Sequence, residues 1–322
     1  MKDFQRELEE YREIIDKSLN AVSKTVKPGT IFEPVRYALE SQGKRLRPIL
    51  LVLVGKGFGA DFEKLIPAAT AIEILHTFTL VHDDIMDNDS FRRGRETIHK
   101  KWDINTAILT GDALMSLAFR ELVKTQVEAR HTLVEELSDA MLEICDGQKM
   151  DMEFENRVNV TRDEYLRMIE KKTGRLISVS CKIGGMIASA GDDKIKSLET
   201  FGKLLGVAFQ IQDDLLEMIS SEQKMGKSLK SDLKSGKKTF LVVDYLEGLE
   251  PCEKEDFMQF LISNADNKEL VVEKLSERGT VDRTVREIKK VLEKAKKEIA
   301  NFPGDLKRKL YDFIDYISNR QS

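Results

Sequence analysis

The six prolines of this 322-residue chain stand at positions 28, 34, 48, 67, 251 and 303, and none falls between 68 and 250. Proline breaks helix interiors, so a proline-free stretch of that length, rich in Leu, Ile, Ala, Met, Glu and Lys, reads as consecutive helices. Strand signals are scarce, with little Val/Ile/Thr/Tyr alternation and no Asn-Gly hairpin turn. The pattern predicts helices over 3–24, 31–41, 48–57, 63–87, 103–126, 130–154, 162–190, 192–219, 238–247, 253–263, 266–277, 280–299 and 304–319. Breaks fall at 155–160, 190–193 and 220–238. No fixed-period repeat or low-complexity tail divides the chain, so one continuous all-α domain over residues 1–322 is the economical partition.

A chain that is 41% hydrophobic can bury a large core. Its net charge of -4 argues against nucleic acid as partner. Cys145, Cys181 and Cys252 are far apart, fit no zinc spacing and, being odd in number, suit no disulfide framework. A reducing cytoplasm is their natural setting. The first twenty residues alternate charged and apolar side chains without a signal-peptide core, and no run of about 20 apolar residues suggests a membrane span.

Two acidic clusters carry the chemistry. Asp83, Asp84, Asp87 and Asp89 fall within seven residues at the end of an apolar helix. Asp83 and Asp87 lie one turn apart on one face, where like charges repel unless a cation sits between them. An oxygen-only set without histidine favours Mg2+, which binds through carboxylates and substrate phosphates. Arg92, Arg93 and Gly94 follow at once, and guanidinium forks suit the remaining phosphate oxygens. The bland alternative is an acidic helix end with a solvated basic loop, although Asp at a helix C-terminus opposes the macrodipole. The second cluster, Asp213, Asp214 and Glu217, begins 130 residues after Asp83 inside the apolar segment VAFQIQDDLLEMI. Gln210, the aspartates and Glu217 form one polar stripe that calls for a partner. Two such clusters on facing helices would hold several metal ions around one diphosphate. Coincidence would require two solvated faces, and neither has the dense charge of one.

Basic residues complete an anion site. Gly43, Lys44, Arg45, Leu46 and Arg47 precede Pro48, which suits a first helical position, so their cations and the helix N–H groups converge on an anion. A plain basic loop is the alternative. The stretch 224–238 holds six lysines and one acid, directly after the second acidic helix. Lys227 and Lys237 there could fold over a metal-bound diphosphate. His76 lies two turns before Asp83 on the same face, where a core histidine and a phosphate contact are both open. His82, His99 and His131 carry no comparable signal.

Together these residues resemble the trans-isoprenyl diphosphate synthases, the short-chain polyprenyl synthetases, over nearly the whole chain. The resemblance rests on GKRLRP at 43–48, EILHTFTLVHDDIMDNDSFRRG at 73–94, GDAL at 111–114, GQKMD at 147–151, KTGRL at 172–176, FQIQDDLLE at 209–217, and GK and GKKT at 226–227 and 236–239. It implies an all-α, single-domain helical bundle around a deep central cavity, a homodimer, and about three Mg2+ ions per site. It implies that Asp83, Asp87 and Asp213 bind metal, with Asp84, Asp214 and Glu217 in the same motifs. Arg92, Lys172, Lys227 and Lys237 would hold an allylic diphosphate. Lys44, Arg47, His76 and Arg93 would hold isopentenyl diphosphate, with Arg45 nearby. Thr173 and Gln210 would line the path of the allylic cation, completing a catalytic set with Lys172. Phe78 and Thr79, five and four residues before the first aspartate, would form the floor under the growing tail. Glu217 departs from the usual aspartate by one methylene. An aromatic at 78 and a first motif without insertion resemble archaeal-type geranylgeranyl (C20) synthases, with a C15 farnesyl product the alternative. A class I terpene cyclase would need no second diphosphate site, and a non-catalytic subunit of a heteromeric synthase would lose acidic residues that are intact here.

Overall fold

The computed structural model describes residues 2–27, 29–128, 130–219 and 236–318. The chain is all-α. Its helices are α1 (Lys2–Thr25), α2 (Phe32–Leu39), α3 (Leu46–Gly57), α4 (Phe62–Met86), α5 (Ile98–Lys101), α6 (Ile104–Leu122) and α7 (Arg130–Glu155). Then come α8 (Arg162–Ile169), a π turn (Glu170–Gly174), α9 (Arg175–Ile187), α10 (Asp192–Ile219), α11 (Phe240–Leu246) and α12 (Pro251–Ser263). The last are α13 (Lys268–Glu277), α14 (Thr280–Glu298) and α15 (Gly304–Ser318).

Caps explain several helix starts. Asp103 accepts from the Thr106 amide to start α6, and Thr161 with Glu164 forms a capping box for α8. Pro251 opens α12 two residues ahead of the sequence expectation, because its fixed φ suits the first turn. Three features depart from the sequence reading. The expected helix over 162–190 is interrupted by the π turn. The short α5 was not anticipated. A two-residue hairpin, β1 (Phe91–Arg92) and β2 (Arg95–Glu96), follows the first acidic cluster. Its loop residues Arg93 and Gly94 have φ of 52° and 75°, the pair of positive values that a tight two-residue hairpin turn needs.

The chain divides into two compact units. The first comprises Met1–Asp139, Val179–Glu199 and Asn301–Asp312, and α4 runs through its core against α3 and α6. Leu65, Ala68, Ala69, Ala71, Ile72, Ile74 and Leu75 of α4 are fully buried. This helix alone among the described residues is long and apolar enough to cross a membrane by length and composition. Its apolarity is that of a core helix, since 61% of the apolar window is buried inside the protein. The second unit comprises Ala140–Ser178, Thr200–Ala300 and Phe313–Ser322. There the π turn is gripped from two sides. A Cβ on Gly147 of α7 would lie 2.5 Å from the Lys172 amide nitrogen, and one on Gly206 of α10 would lie 2.4 Å from the Gly174 Cα. Only bare backbone allows the three segments to approach so closely.

Candidate active site

In the first unit, α4 ends on the first acidic cluster. Asp83 and Asp87 are half-buried on one face, with the Asp87 amide donating to the Asp83 carbonyl at 2.8 Å. Asp84 points the other way and is buried. Its Oδ1 accepts from Arg92 Nε at 2.5 Å, and Arg92 Nη2 also reaches Asp89 at 3.4 Å. The hairpin therefore folds one arginine of the pair back onto the helix end. The other, Arg93, sits in the left-handed turn and donates to the Gln42 carbonyl at 2.6 Å.

That bond brings Arg93 to the GKRLRP segment. A Cβ on Gly43 would lie 2.7 Å from Arg93 Nη1 and 2.9 Å from Arg45 Nη1, so glycine makes room for two guanidinium groups. Arg47 Nη1 donates to His76 Nε2 at 3.1 Å, which fixes the imidazole as an acceptor. Burial holds the His76 pKa well below the usual imidazole range, with Arg47, Arg93, Arg92 and Arg45 adding to the depression in that order. Neutral His76 amid arginines forms a cradle that an anion would relieve. Lys44 is exposed at its rim.

Arg45, expected near the diphosphate ligands, lies beside Arg93 and is held by protein groups. It is 6% exposed, and its guanidinium is engaged by Glu73 at 2.7 Å, Asp16 at 2.8 Å and the Ser41 carbonyl at 2.7 Å. It braces the loop from beneath. Asp16 carried no sequence signal, and Glu73 opened the 73–94 segment without any role assigned to it, because each lies about thirty residues from Arg45 and its contact is legible only through the fold.

In the second unit, α10 repeats the division seen on α4. Asp213 and Glu217 are half-buried and share a face, whereas Asp214 is buried. Asp214 Oδ2 accepts from the Tyr165 hydroxyl and from the Phe240 amide at 2.8 Å, and Oδ1 accepts from Gln210 Nε2 at 3.0 Å. Burial pushes the Asp214 carboxyl up to about 6, while the three donors pull the other way. Thr173 donates its hydroxyl proton to Gln210 Oε1 at 2.8 Å. Its oxygen lone pairs are thus left to face a cation, and Gln210 is oriented by the carboxylate beyond it. Lys172 of the π turn donates to Asp151 Oδ2 at 2.5 Å. Asp151 ends the GQKMD segment and gives that motif a physical role, the aiming of Lys172. Tyr165 lay outside every motif, 49 residues from its partner.

In GKKT, Lys237 is half-buried, and Lys238 is the buried lysine, donating to the Gly236 carbonyl at 2.7 Å. Burial lowers the Lys238 pKa to about 8. Lys227 lies outside the described residues. Phe78 is buried and Thr79 half-buried, with the Thr79 hydroxyl turned to the His76 carbonyl at 2.9 Å.

Among the described residues, no group of three or more His, Cys, Asp and Glu side chains forms a ready metal cage. The donors on offer are instead Asp83 with Asp87 and Asp213 with Glu217. Such a sparse all-oxygen set fits Mg2+, which takes one or two carboxylates and completes its shell with water and substrate phosphate.

The polyprenyl synthetase family model matches residues 28–278. The chain is 41% identical over 279 residues to the geranylgeranyl diphosphate synthase of Saccharolobus solfataricus, covering 85% of this chain and 83% of that protein. It is 39% identical over 270 residues to that of Methanosarcina mazei, covering 83% of this chain and 82% of that protein. The crystal structure of geranylgeranyl pyrophosphate synthetase from Pyrococcus horikoshii superposes with a TM-score of 0.90 at 34% identity, covering 98% of both chains. With its two acidic helices, its arginine cradle and its π-turn lysine in place, the chain belongs to the polyprenyl synthetase family.

Proposed function

We propose that the protein is a prenyl transferase that condenses isopentenyl diphosphate with dimethylallyl, geranyl or farnesyl diphosphate, giving an all-trans C20 product. The observation that carries this reading is the cradle of Arg47, Arg93, Lys44 and neutral His76 beside the Asp83/Asp87 helix end. An enzyme that ionises a single diphosphate has no use for a second anion site so close to its metal-binding acids. The C20 product is supported by the relatives at 39% and 41% identity, both geranylgeranyl diphosphate synthases, and by the aromatic at Phe78. Residues 1–322 are read as one catalytic domain.

Asp83, Asp87 and Asp213 are the residues that would hold Mg2+, with Glu217 the last acid of the second motif. When bound, the ions neutralise the charge that develops on the departing diphosphate. Arg92, Lys172, Lys227 and Lys237 orient that diphosphate through charge-assisted hydrogen bonds. Thr173 and Gln210 direct oxygen lone pairs at the allylic cation, which is electrostatic stabilisation by prearranged dipoles. Lys44, Arg47, His76 and Arg93 fix isopentenyl diphosphate so that its double bond meets the cation. A proton then leaves the condensed product, with the released diphosphate the nearest strong acceptor. Asp84 and Asp214 are read as supports of the metal ligands, because their carboxylates already face protein donors.

The assembly is read as a homodimer formed through α6. Ile104, Ile108 and Leu109 are 55%, 41% and 59% exposed on that helix, a stripe that a monomer would leave in water. A cytoplasmic setting is supported by Cys145, Cys181 and Cys252, which no disulfide joins.

The test is incubation of the purified chain with Mg2+, isopentenyl diphosphate and each allylic primer, followed by product mass. The expected outcome is C20 diphosphate that requires both substrates. Turnover without isopentenyl diphosphate would make the protein a cyclase, a C15 product would make it a farnesyl diphosphate synthase, and inactivity alone would make it a subunit.

A further inference from the structure

His82 immediately precedes the metal-binding aspartates, yet its imidazole turns away from the arginine cradle and toward α6. The ring packs edge-on against Phe78, one turn back on α4, with centroids 4.7 Å apart and planes at 60°. Its Nε2 lies 3.2 Å from the Ile108 carbonyl oxygen of α6. A carbonyl only accepts, so Nε2 carries the proton and donates. Beneath the ring is Gly111, where a Cβ would fall 2.1 Å from Nε2 and 2.4 Å from Cδ2. The bare glycine is the seat of the imidazole. Phe78 is therefore fixed on its His82 side by a ring that is itself fixed by one hydrogen bond and one glycine on the neighbouring helix.

We propose that His82 is a positioning residue for product length: it holds Phe78 in the orientation that stops the growing tail, and Gly111 and the Ile108 carbonyl hold His82. This rests on the reading of Phe78 as the floor of the tail site. Side chains of the floor can rotate aside only if something permits them to, and a clamped aromatic blocks where a loose one yields. A single methylene of space shifts substrate discrimination by about 10- to 200-fold, so a modest rotation of Phe78 is enough to change the product.

The experiment compares products by mass for the wild type, His82→Ala, His82→Gln, Phe78→Ala and the double variant His82→Ala/Phe78→Ala, with KM for isopentenyl diphosphate measured alongside. His82→Ala is expected to raise the ratio of products longer than C20 by at least about tenfold. His82→Gln, whose amide nitrogen can restore a donor to the Ile108 carbonyl, should return most product to the wild-type length. The double variant should match Phe78→Ala, because the brace has nothing left to hold. KM for isopentenyl diphosphate should stay within about twofold, since the cradle is built from other residues, a near-additivity expected of independent sites. Lengthening by Phe78→Ala but not by folded His82→Ala would overturn the brace and leave the floor standing. Unchanged length in Phe78→Ala would remove the floor, and the brace with it. Should His82→Ala fail to fold, Gly111→Ala reads the same contact by displacing the ring, and an unchanged product length there would overturn the proposal.

Discussion

The two acidic motifs look alike in sequence and differ in how the protein uses its fold to hold them. On α4 the acids arrive where the helix stops. Asp84 is held by Arg92 of the hairpin eight residues on, a local closure over an element of four paired residues. On α10 the acids sit inside a long helix. Asp214 gathers Tyr165 from α8, the amide of Phe240 at the head of α11 and Gln210 one turn back. In both motifs the first aspartate and the last acid share the accessible face and the second aspartate is buried. The first motif thus carries its support within one stretch of chain, and the second ties together three helices. The comparison teaches that loss of the buried acid should be a local matter at Asp84 and a matter of folding at Asp214.

The largest effects should come from the accessible acids. Asp83→Ala and Asp213→Ala should each lower kcat by at least about 100-fold with the melting temperature nearly unchanged, as befits loss of stabilisation present only in the transition state. A melting temperature that fell instead would erase the distinction between accessible and buried acids. Next comes Asp214→Ala. It strands two buried donors, each worth about 1–3 kcal/mol, besides the half-buried Gln210 amide, and should destabilise the fold by about 3 kcal/mol or more. Asp84→Ala should cost clearly less in the same denaturant titration, because Arg92 retains Asp89. Equal losses would break the comparison.

Arg47→Ala removes the donor to His76 and should raise KM for isopentenyl diphosphate about tenfold while KM for the allylic primer stays put, consistent with about 1.5–3 kcal/mol for a charged hydrogen bond. Equal changes in both KM values would show that the two diphosphate sites are not separate. Tyr165→Phe sharpens the second motif. The Tyr165 bond holds the Asp214 pKa down against burial, so its loss should move the carboxyl above its value of about 6 and cost about 1 kcal/mol. Carboxyl titration by NMR reads this directly, and a downward shift would contradict the hydrogen bond.

The smallest effect concerns His76. Its folded-state pKa lies below that of the unfolded chain, so stability is lost as pH falls through about 6.5 and the unfolded imidazole takes up a proton. His76→Asn should lose less stability than the wild type between pH 7 and 5.5. Parallel curves would mean that His76 takes up its proton equally in the folded and unfolded chains.

Much of this site was legible as residue types at fixed spacings. Asp83/Asp87 and Asp213/Glu217 could be read as pairs sharing a face, because residues four apart on a helix stand one turn apart. What stayed hidden was direction. Nothing in the string DD says which aspartate will be buried, because that depends on a tyrosine 49 residues away or a hairpin too short to show alternation. The hold of Glu73 and Asp16 on Arg45 was hidden for the same reason. His82 looked idle because its partners, a glycine and a carbonyl oxygen, have no side-chain signature.

The π turn at Glu170–Gly174 works as a vernier. Tyr165 and Thr173 both address α10, one through Asp214 and the other through Gln210. Eight residues of regular α-helix would leave them about 80° out of step. Absorbing one residue into a wider turn makes the separation count as seven, which is within about 20° of two full turns. The surplus residue therefore sets two distant side chains to the same bearing. An unbulged α-helix of the same length would instead turn Thr173 away from Gln210.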